Sequence, residues 1–207
     1  MLTLYVGSKR YSSWSLRPYL ALAQAGAKFE TTTILLDQPT TKADIARVNP
    51  AGRVPVLHDG DLVIWDSLAI CEYAHELFGN LWPGDRAARA RARAISAEMH
   101  AGFASLRRDM PMDLCANKAG QGHTREALAD ARRVQAIWHD ALATSGGPFL
   151  FATFTIADAM FAPVTTRFRT YGVDLDSTCR AYVDVVTALP AMQAWQRDAA
   201  AEPKTRA

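Results

Sequence analysis

The sequence predicts a two-part α/β-plus-α architecture: a small mixed sheet covered by helices, then an all-helical bundle. Three observations predict it. The first 82 residues read β-α-β-α-β-β-α, glycine and proline break the pattern at Gly79-Asn80-Leu81-Trp82-Pro83-Gly84-Asp85, and only helical periodicities follow. This divides the chain into residues 1–82 and 86–207.

Leu2-Thr3-Leu4-Tyr5-Val6 alternates and reads as a strand. The Leu- and Ala-rich run from Ser13 to Ala25 reads as a helix closed by Gly26, with Pro18 in its first turn. Phe29 to Leu35 is β-branched, a second strand. A short helix over 41–48 stops at Asn49-Pro50. Val54-Pro55-Val56-Leu57 and Leu62-Val63-Ile64-Trp65 form a hairpin whose Asp59-Gly60 tip suits a type I′ turn. Asp66-Ser67 opens a helix to Phe78. The helical crossover makes the first strand pair parallel, and the tight hairpin makes the last pair antiparallel. Helical patterns then cover 86–109, 124–143, 155–171, 177–188 and 190–201. Leu128, Ala131, Gln135, Trp138 and Leu142 share one stripe. Thr155-Ile156-Ala157-Asp158 matches a capping box, with Asp in the final position. Residues 202–207 read as a frayed tail.

Composition narrows the function classes. Of 207 residues, 49% are hydrophobic and 21% charged, enough to build a core and exclude a disordered chain. Lys and Arg number 23 against 21 Asp and Glu, a net charge of +2, which calls for neither nucleic acid nor a cationic partner. No apolar run reaches the roughly 18–20 residues of a membrane span, and the N-terminus lacks the charge order of a signal peptide. Cys71, Cys115 and Cys179 are odd in number and far apart, as in a reducing cytosol. Cys71 and His75, four apart on one helix, are too few ligands for zinc, so no metal is expected. Gly120-Gln121-Gly122-His123 lacks the third glycine of a dinucleotide site.

Four stretches stand out. In Tyr11-Ser12-Ser13-Trp14-Ser15-Leu16-Arg17-Pro18, three hydroxyls meet a helix start, where one serine would suffice as a cap. A helix start with spare hydroxyls can stabilise a thiolate or phosphate. In Asn49-Pro50-Ala51-Gly52-Arg53-Val54-Pro55, the second proline requires an edge position or a special turn, and a cis bond would turn the Val54 backbone toward a ligand. Asp66-Ser67 either caps its helix or seats a small carboxylate. Arg86, Arg89 and Arg93 share a helix face, with Arg91 beside them, which reads as a solvated face or subunit contact.

Together these pieces resemble the cytosolic glutathione transferases, across essentially the whole chain. The marks are Asn49-Pro50…Val54-Pro55-Val56-Leu57, Asp66-Ser67-Leu68-Ala69-Ile70 and Thr155-Ile156-Ala157-Asp158, in that order. Ser12-Ser13-Trp14-Ser15-Leu16-Arg17 resembles the zeta-class motif Ser-Ser-Cys-Ser-Trp-Arg. Trp14 stands for its cysteine and Leu16 for its tryptophan, so the resemblance is to a serine-type bacterial transferase of unassigned class rather than to a maleylacetoacetate isomerase.

The resemblance implies a thioredoxin-like N-terminal domain that binds glutathione, and an all-α C-terminal domain. It implies that Ser12, or its neighbour Ser13, donates a hydrogen bond to the glutathione sulfur. Val54 would pair with the cysteinyl part through its backbone, with Pro55 cis. Asp66 and Ser67 would hold the γ-glutamyl end, and Arg53 the glycyl carboxylate or solvent. Met99, Phe103 and Arg107, spaced by four, would line a second-substrate pocket with Met110 and Met112 nearby, unless they pack the core. The implied activity is conjugation of glutathione to a hydrophobic electrophile in detoxification, or peroxide reduction or isomerisation. The implied state is a cytoplasmic homodimer with glutathione as co-substrate. A catalytically weak binding or assembly module on the same fold is the alternative.

Overall fold

A computed structural model describes residues 1–205. The elements are β1 (Leu2–Gly7), α1 (Ser13–Gln24), β2 (Phe29–Ile34), α2 (Thr41–Val48), β3 (Val56–Asp59), β4 (Leu62–Ile64) and α3 (Ser67–Phe78). There follow α4 (Arg86–Ala101), α5 (Ala104–Asp109), α6 (Arg125–Ser145), α7 (Ile156–Tyr171), α8 (Ser177–Ala188) and α9 (Pro190–Ala201). The sheet order is β2-β1-β3-β4. β1 pairs parallel to β2, with Leu2 opposite Phe29, and antiparallel to β3, with Leu4 opposite Leu57. β3 and β4 form the hairpin. The alternation in β1 has the expected result: Leu2, Leu4 and Val6 are buried.

α7 is the pillar of the helical half. Every one of its residues except Arg169 is buried, and it packs against α1 and α4, joining the two halves. Asp158 fixes its start. One carboxylate oxygen accepts from Thr155 N (2.8 Å) and Thr155 Oγ1 (3.0 Å); the other accepts from Leu150 N (3.0 Å) and Tyr182 Oη (3.1 Å). The capping reading of this motif therefore extends to a clamp on a preceding loop and on α8. In α6 the buried line runs Ala127, Ala131, Val134, Trp138 and Leu142, while Leu128 and Gln135 lie half-buried at its margin.

Several expectations need correction. The 86–109 pattern is two helices, because Phe103 adopts φ 61° and turns the chain between α4 and α5. Pro18 is the sixth residue of α1, inside the helix, and so leaves the Trp14 carbonyl without its helical donor. Of the two settings expected for Pro55, the edge strand is excluded and the special backbone holds: the bond is cis and precedes β3, which lies between β1 and β4. At the hairpin tip only Gly60, with φ 58°, is left-handed; Asp59 and Asp61 are not, so the turn is not type I′. Glu202 does not fray: its carboxylate accepts from Lys9 N (3.0 Å) and Arg10 N (3.3 Å). Residues 206–207 of the expected tail lie outside the described residues.

Candidate functional site

The loop from β1 to α1 is held from three sides. Trp195 Nε1 donates to Lys9 O at 2.9 Å, Lys9 Nζ pairs with Asp198, and Arg10 pairs with Asp113 at 2.7 Å. The loop delivers Ser12 and Ser13 to the start of α1, and both are buried. Their environments differ. Ser12 is the N-cap: its Oγ accepts from Ser15 N at 3.4 Å and donates to Ser15 Oγ at 2.8 Å, and Ser15 Oγ accepts from Gly7 N at 3.0 Å. Ser13 Oγ accepts from Arg167 Nη2 at 3.2 Å, and its own hydrogen has no acceptor among the described residues.

Two adjoining cavities open in front of α1. The first, about 200 Å³, is lined by Trp14, Arg53, Val54, Pro55, Asp66 and Ser67, with Trp65 and His100 completing it. The Val54–Pro55 peptide bond is cis. Asn49 Nδ2 donates to Arg53 O at 2.5 Å and so fixes the loop before Val54. Arg53 itself is exposed. Asp66 caps α3 by accepting from Leu68 N at 3.0 Å, and its other oxygen pairs with His100 Nε2 at 3.0 Å. Ser67 Oγ is buried without a hydrogen-bond partner among the described residues. An orphaned hydroxyl at a helix N-terminus fits an absent anionic group.

The second cavity, about 450 Å³, is bounded by Ser12, Ser13, Trp14, Arg107, Met112 and Arg167, and shares Arg53 and Val54 with the first. Of the three residues expected to line a second-substrate pocket, only Arg107 does so. Met99 is fully buried and packs in the core, and Phe103 is buried at the α4–α5 break. Met110 is likewise in the core, whereas Met112 reaches the cavity. Arg107 is anchored on the end of α4, donating to Gly102 O at 2.9 Å and to Met99 O.

Sequence reasoning missed Arg167, which lines the cavity, and gave Arg17 no role. Arg17 is fully buried, its guanidinium carbon 4.3 Å from the Trp14 ring centroid. Arg107 lies 4.8 Å from the same ring. Burial, then the neighbouring Arg107, pushes Arg167 down to about 9 and drives Arg17 well below the usual guanidinium range. The available signal was helical position: of the two arginines of α7, Arg167 and Arg169, only Arg169 is exposed.

The other motifs have structural partners. Arg89 donates to Pro83 O and Gly84 O in the inter-domain turn, Arg93 reaches Glu72 on α3 and Arg91 reaches Asp140 on α6, while Arg86 is exposed. His75 accepts from Leu81 N, and burial pushes the Cys71 thiol up. His139, Asp176 and Cys179 converge elsewhere, with Asp176 capping α8.

A family model described as the N-terminal domain of glutathione S-transferase matches residues 11–77, and one described as its C-terminal domain matches residues 116–197. A stringent starvation protein A homolog from Pasteurella multocida is 27% identical over 75% of this chain and 70% of its own. A probable maleylacetoacetate isomerase from Caenorhabditis elegans is 35% identical over 50% of this chain, which spans about half of that relative, 48%. A glutathione transferase homolog from Burkholderia, crystallised with bound glutathione, superposes with a TM-score of 0.75 at 24% identity, covering 97% of this chain and 99% of its own. No helix among the described residues is long and apolar enough to cross a membrane. Two domain matches in the expected order, on a four-stranded mixed sheet followed by a helical domain, place this chain in the cytosolic glutathione S-transferase family.

Proposed function

We propose that this chain is a glutathione transferase in which Ser13, rather than Ser12, holds the glutathione sulfur as a thiolate. The observation that carries this is the contrast between the two hydroxyls. Ser12 Oγ is engaged with both Ser15 Oγ and Ser15 N, whereas Ser13 Oγ accepts from a guanidinium and has no second partner among the described residues, which leaves its hydrogen to donate. A cation bonded to the serine oxygen makes that hydroxyl a stronger donor.

A free thiol has a pKa of about 8.5, so most of it is protonated at neutral pH. The thiolate is the nucleophile. The Ser13 hydrogen bond and the α1 N-terminus stabilise the anion, and each unit of lowered pKa corresponds to about 1.4 kcal/mol. The thiol proton leaves to solvent. The sulfur electron pair then forms a bond to the electrophilic carbon, and the leaving group departs with its own pair. Ser67 and Asp66 hold the γ-glutamyl end, the Val54 backbone pairs with the cysteinyl part, and Arg53 stands near the glycyl end. The second substrate occupies the larger cavity. Leu62, Leu77 and Phe78 are exposed apolar side chains of the sheet domain that a homodimer would cover, and glutathione as co-substrate fits a cytoplasmic protein.

The stringent starvation protein A homologs among the relatives carry no transferase in their name, and a weakly catalytic binding or assembly module is the second reading. A panel of electrophiles, peroxides and disulfides with glutathione separates the two. Turnover above the uncatalysed rate, with the thiolate absorbance of bound glutathione titrating below the free thiol, supports the enzyme. No turnover and an unshifted titration support the module.

A further inference from the structure

His139 on α6, Asp176 at the cap of α8 and Cys179 in the first turn of α8 bring an imidazole nitrogen, a carboxylate oxygen and a sulfur within 4.8 Å of one another. None of the three lines either cavity in front of α1. Asp176 divides its two oxygens. Oδ1 accepts from Cys179 N at 3.0 Å and so holds the helix start, while Oδ2 lies 2.5 Å from His139 Nε2. The same nitrogen lies 3.6 Å from Cys179 Sγ. With the imidazole hydrogen on Nδ1 and the thiol ionised, all three groups turn a lone pair toward one point.

The spacing and the chemistry fit one kind of ion. A tetrahedral zinc with sulfur at about 2.3 Å and nitrogen or oxygen at about 2.0 Å sets sulfur and nitrogen about 3.6 Å apart and nitrogen and oxygen about 3.3 Å apart. The sulfur–nitrogen distance already matches, and the carboxylate has only to draw back by about 0.8 Å from the imidazole. Cys179 is buried and forms the floor, while the half-exposed His139 and Asp176 form the rim. Burial, then the Asp176 charge, pushes the Cys179 thiol up to about 12. A coordinated cation reverses that balance, because a ligating thiol gives up its proton. His139 also lines a cavity of about 650 Å³, which admits water beside the cluster. One nitrogen, one oxygen and one sulfur suit zinc and not calcium or magnesium, which take oxygen ligands.

We propose that His139, Asp176 and Cys179 bind a zinc ion, with water as the fourth ligand. The ion ties α6 to the start of α8. The thiol proton leaves to solvent on binding, and the sulfur, Nε2 and Oδ2 each give a lone pair to the metal. Oδ1 stays on Cys179 N, so the cap survives. Cys71 and His75, the pair that sequence spacing brings together, take no part. The site was hidden in the sequence because His139 lies 37 positions before Asp176 and meets it only through packing.

The test titrates the full, tag-free, reduced chain with zinc chloride by calorimetry, and with cobalt(II) chloride by absorbance. One equivalent of zinc should bind. Cobalt(II) in its place should give the near-ultraviolet charge-transfer band of a thiolate ligand, a readout on the unaltered protein. Cys179→Ser should abolish that band and Cys115→Ser should leave it. His139→Ala, at a half-exposed position the fold tolerates, should weaken zinc binding about a hundredfold, since losing even a partner of a ligand costs about 10–100-fold. Zinc at about a hundred times its Kd should raise Tm by about 5–10 °C, and Cys179→Ser should lose that rise. The proposal is overturned by zinc binding no tighter than about 1 mM, by a cobalt spectrum without the band, by a band that survives Cys179→Ser, or by an affinity indifferent to His139→Ala. Absence of glutathione turnover leaves it standing, because these three residues line neither cavity in front of α1.

Discussion

Arg167 Nη2 donates to Ser13 Oγ at 3.2 Å, bridging α7 and the first residue of α1 across 154 positions of sequence. The bond lies where the two halves of the chain meet, so the helical domain takes part in setting the chemistry of a hydroxyl carried by the sheet domain. It also separates two adjacent serines that are alike in sequence.

Ser13→Ala is expected to lower kcat for conjugation about a hundredfold, the usual cost of losing one donor to a developing or resident anion. Glutathione affinity should change far less. Ser12→Ala should instead cost about 1 kcal/mol of stability through the lost N-cap, with a smaller effect on rate. Steady-state kinetics and urea denaturation of both variants check this; equal rate losses would remove the distinction between the two serines.

Ser67→Ala should raise KM for glutathione about tenfold, the worth of a hydrogen bond to a charged carboxylate. It should leave the stability of the unliganded protein unchanged, because Ser67 Oγ has no partner to lose. Denaturation with and without glutathione separates the two effects: the stabilisation by ligand should shrink in the variant.

Asp158→Asn should destabilise the fold by about 3 kcal/mol, because an amide nitrogen replaces an oxygen that two donors address. Burial raises the Asp158 carboxyl to about 6, against the pull of its four donors. A carboxyl raised on folding takes up protons as the chain folds. Its contribution is complete below about pH 4 and is lost as pH rises through about 6. The stability difference between wild type and Asp158→Asn should therefore narrow from pH 4 to pH 7. A difference that widens over this range would reverse the sign.

Glu202→Ala should cost about 1–2 kcal/mol, since its carboxylate bonds the Lys9 and Arg10 amides. Amide hydrogen exchange at Lys9 and Arg10 should accelerate in the variant. Unchanged protection there would show that the chain end is not what holds this loop.

The legible parts of this molecule are those that local rules govern. Leu2, Leu4 and Val6 declare a strand by alternation, and Thr155 to Asp158 declares a helix start by residue type. Asp66 could be read as a cap because capping is set by residue type at the helix start. Met99 could not be placed: a spacing of four gives a helix face, not which neighbour that face meets. Phe103 carries no local mark of a left-handed residue. Arg167 finds Ser13 only through tertiary packing, and Glu202 finds Lys9 in the same way. The family was therefore visible in short motifs, while the partners that each side chain meets depended on contacts distant in sequence.

The turn at Phe103 has an electrical consequence. In an unbroken helix, the carbonyls of Met99 and Gly102 would be consumed by amides four residues on. The interruption releases them, and the Leu106 amide turns to Asp130 instead. The released oxygens then receive Arg107. One irregular dihedral thus manufactures a partial counter-charge for a cation at the mouth of the cleft.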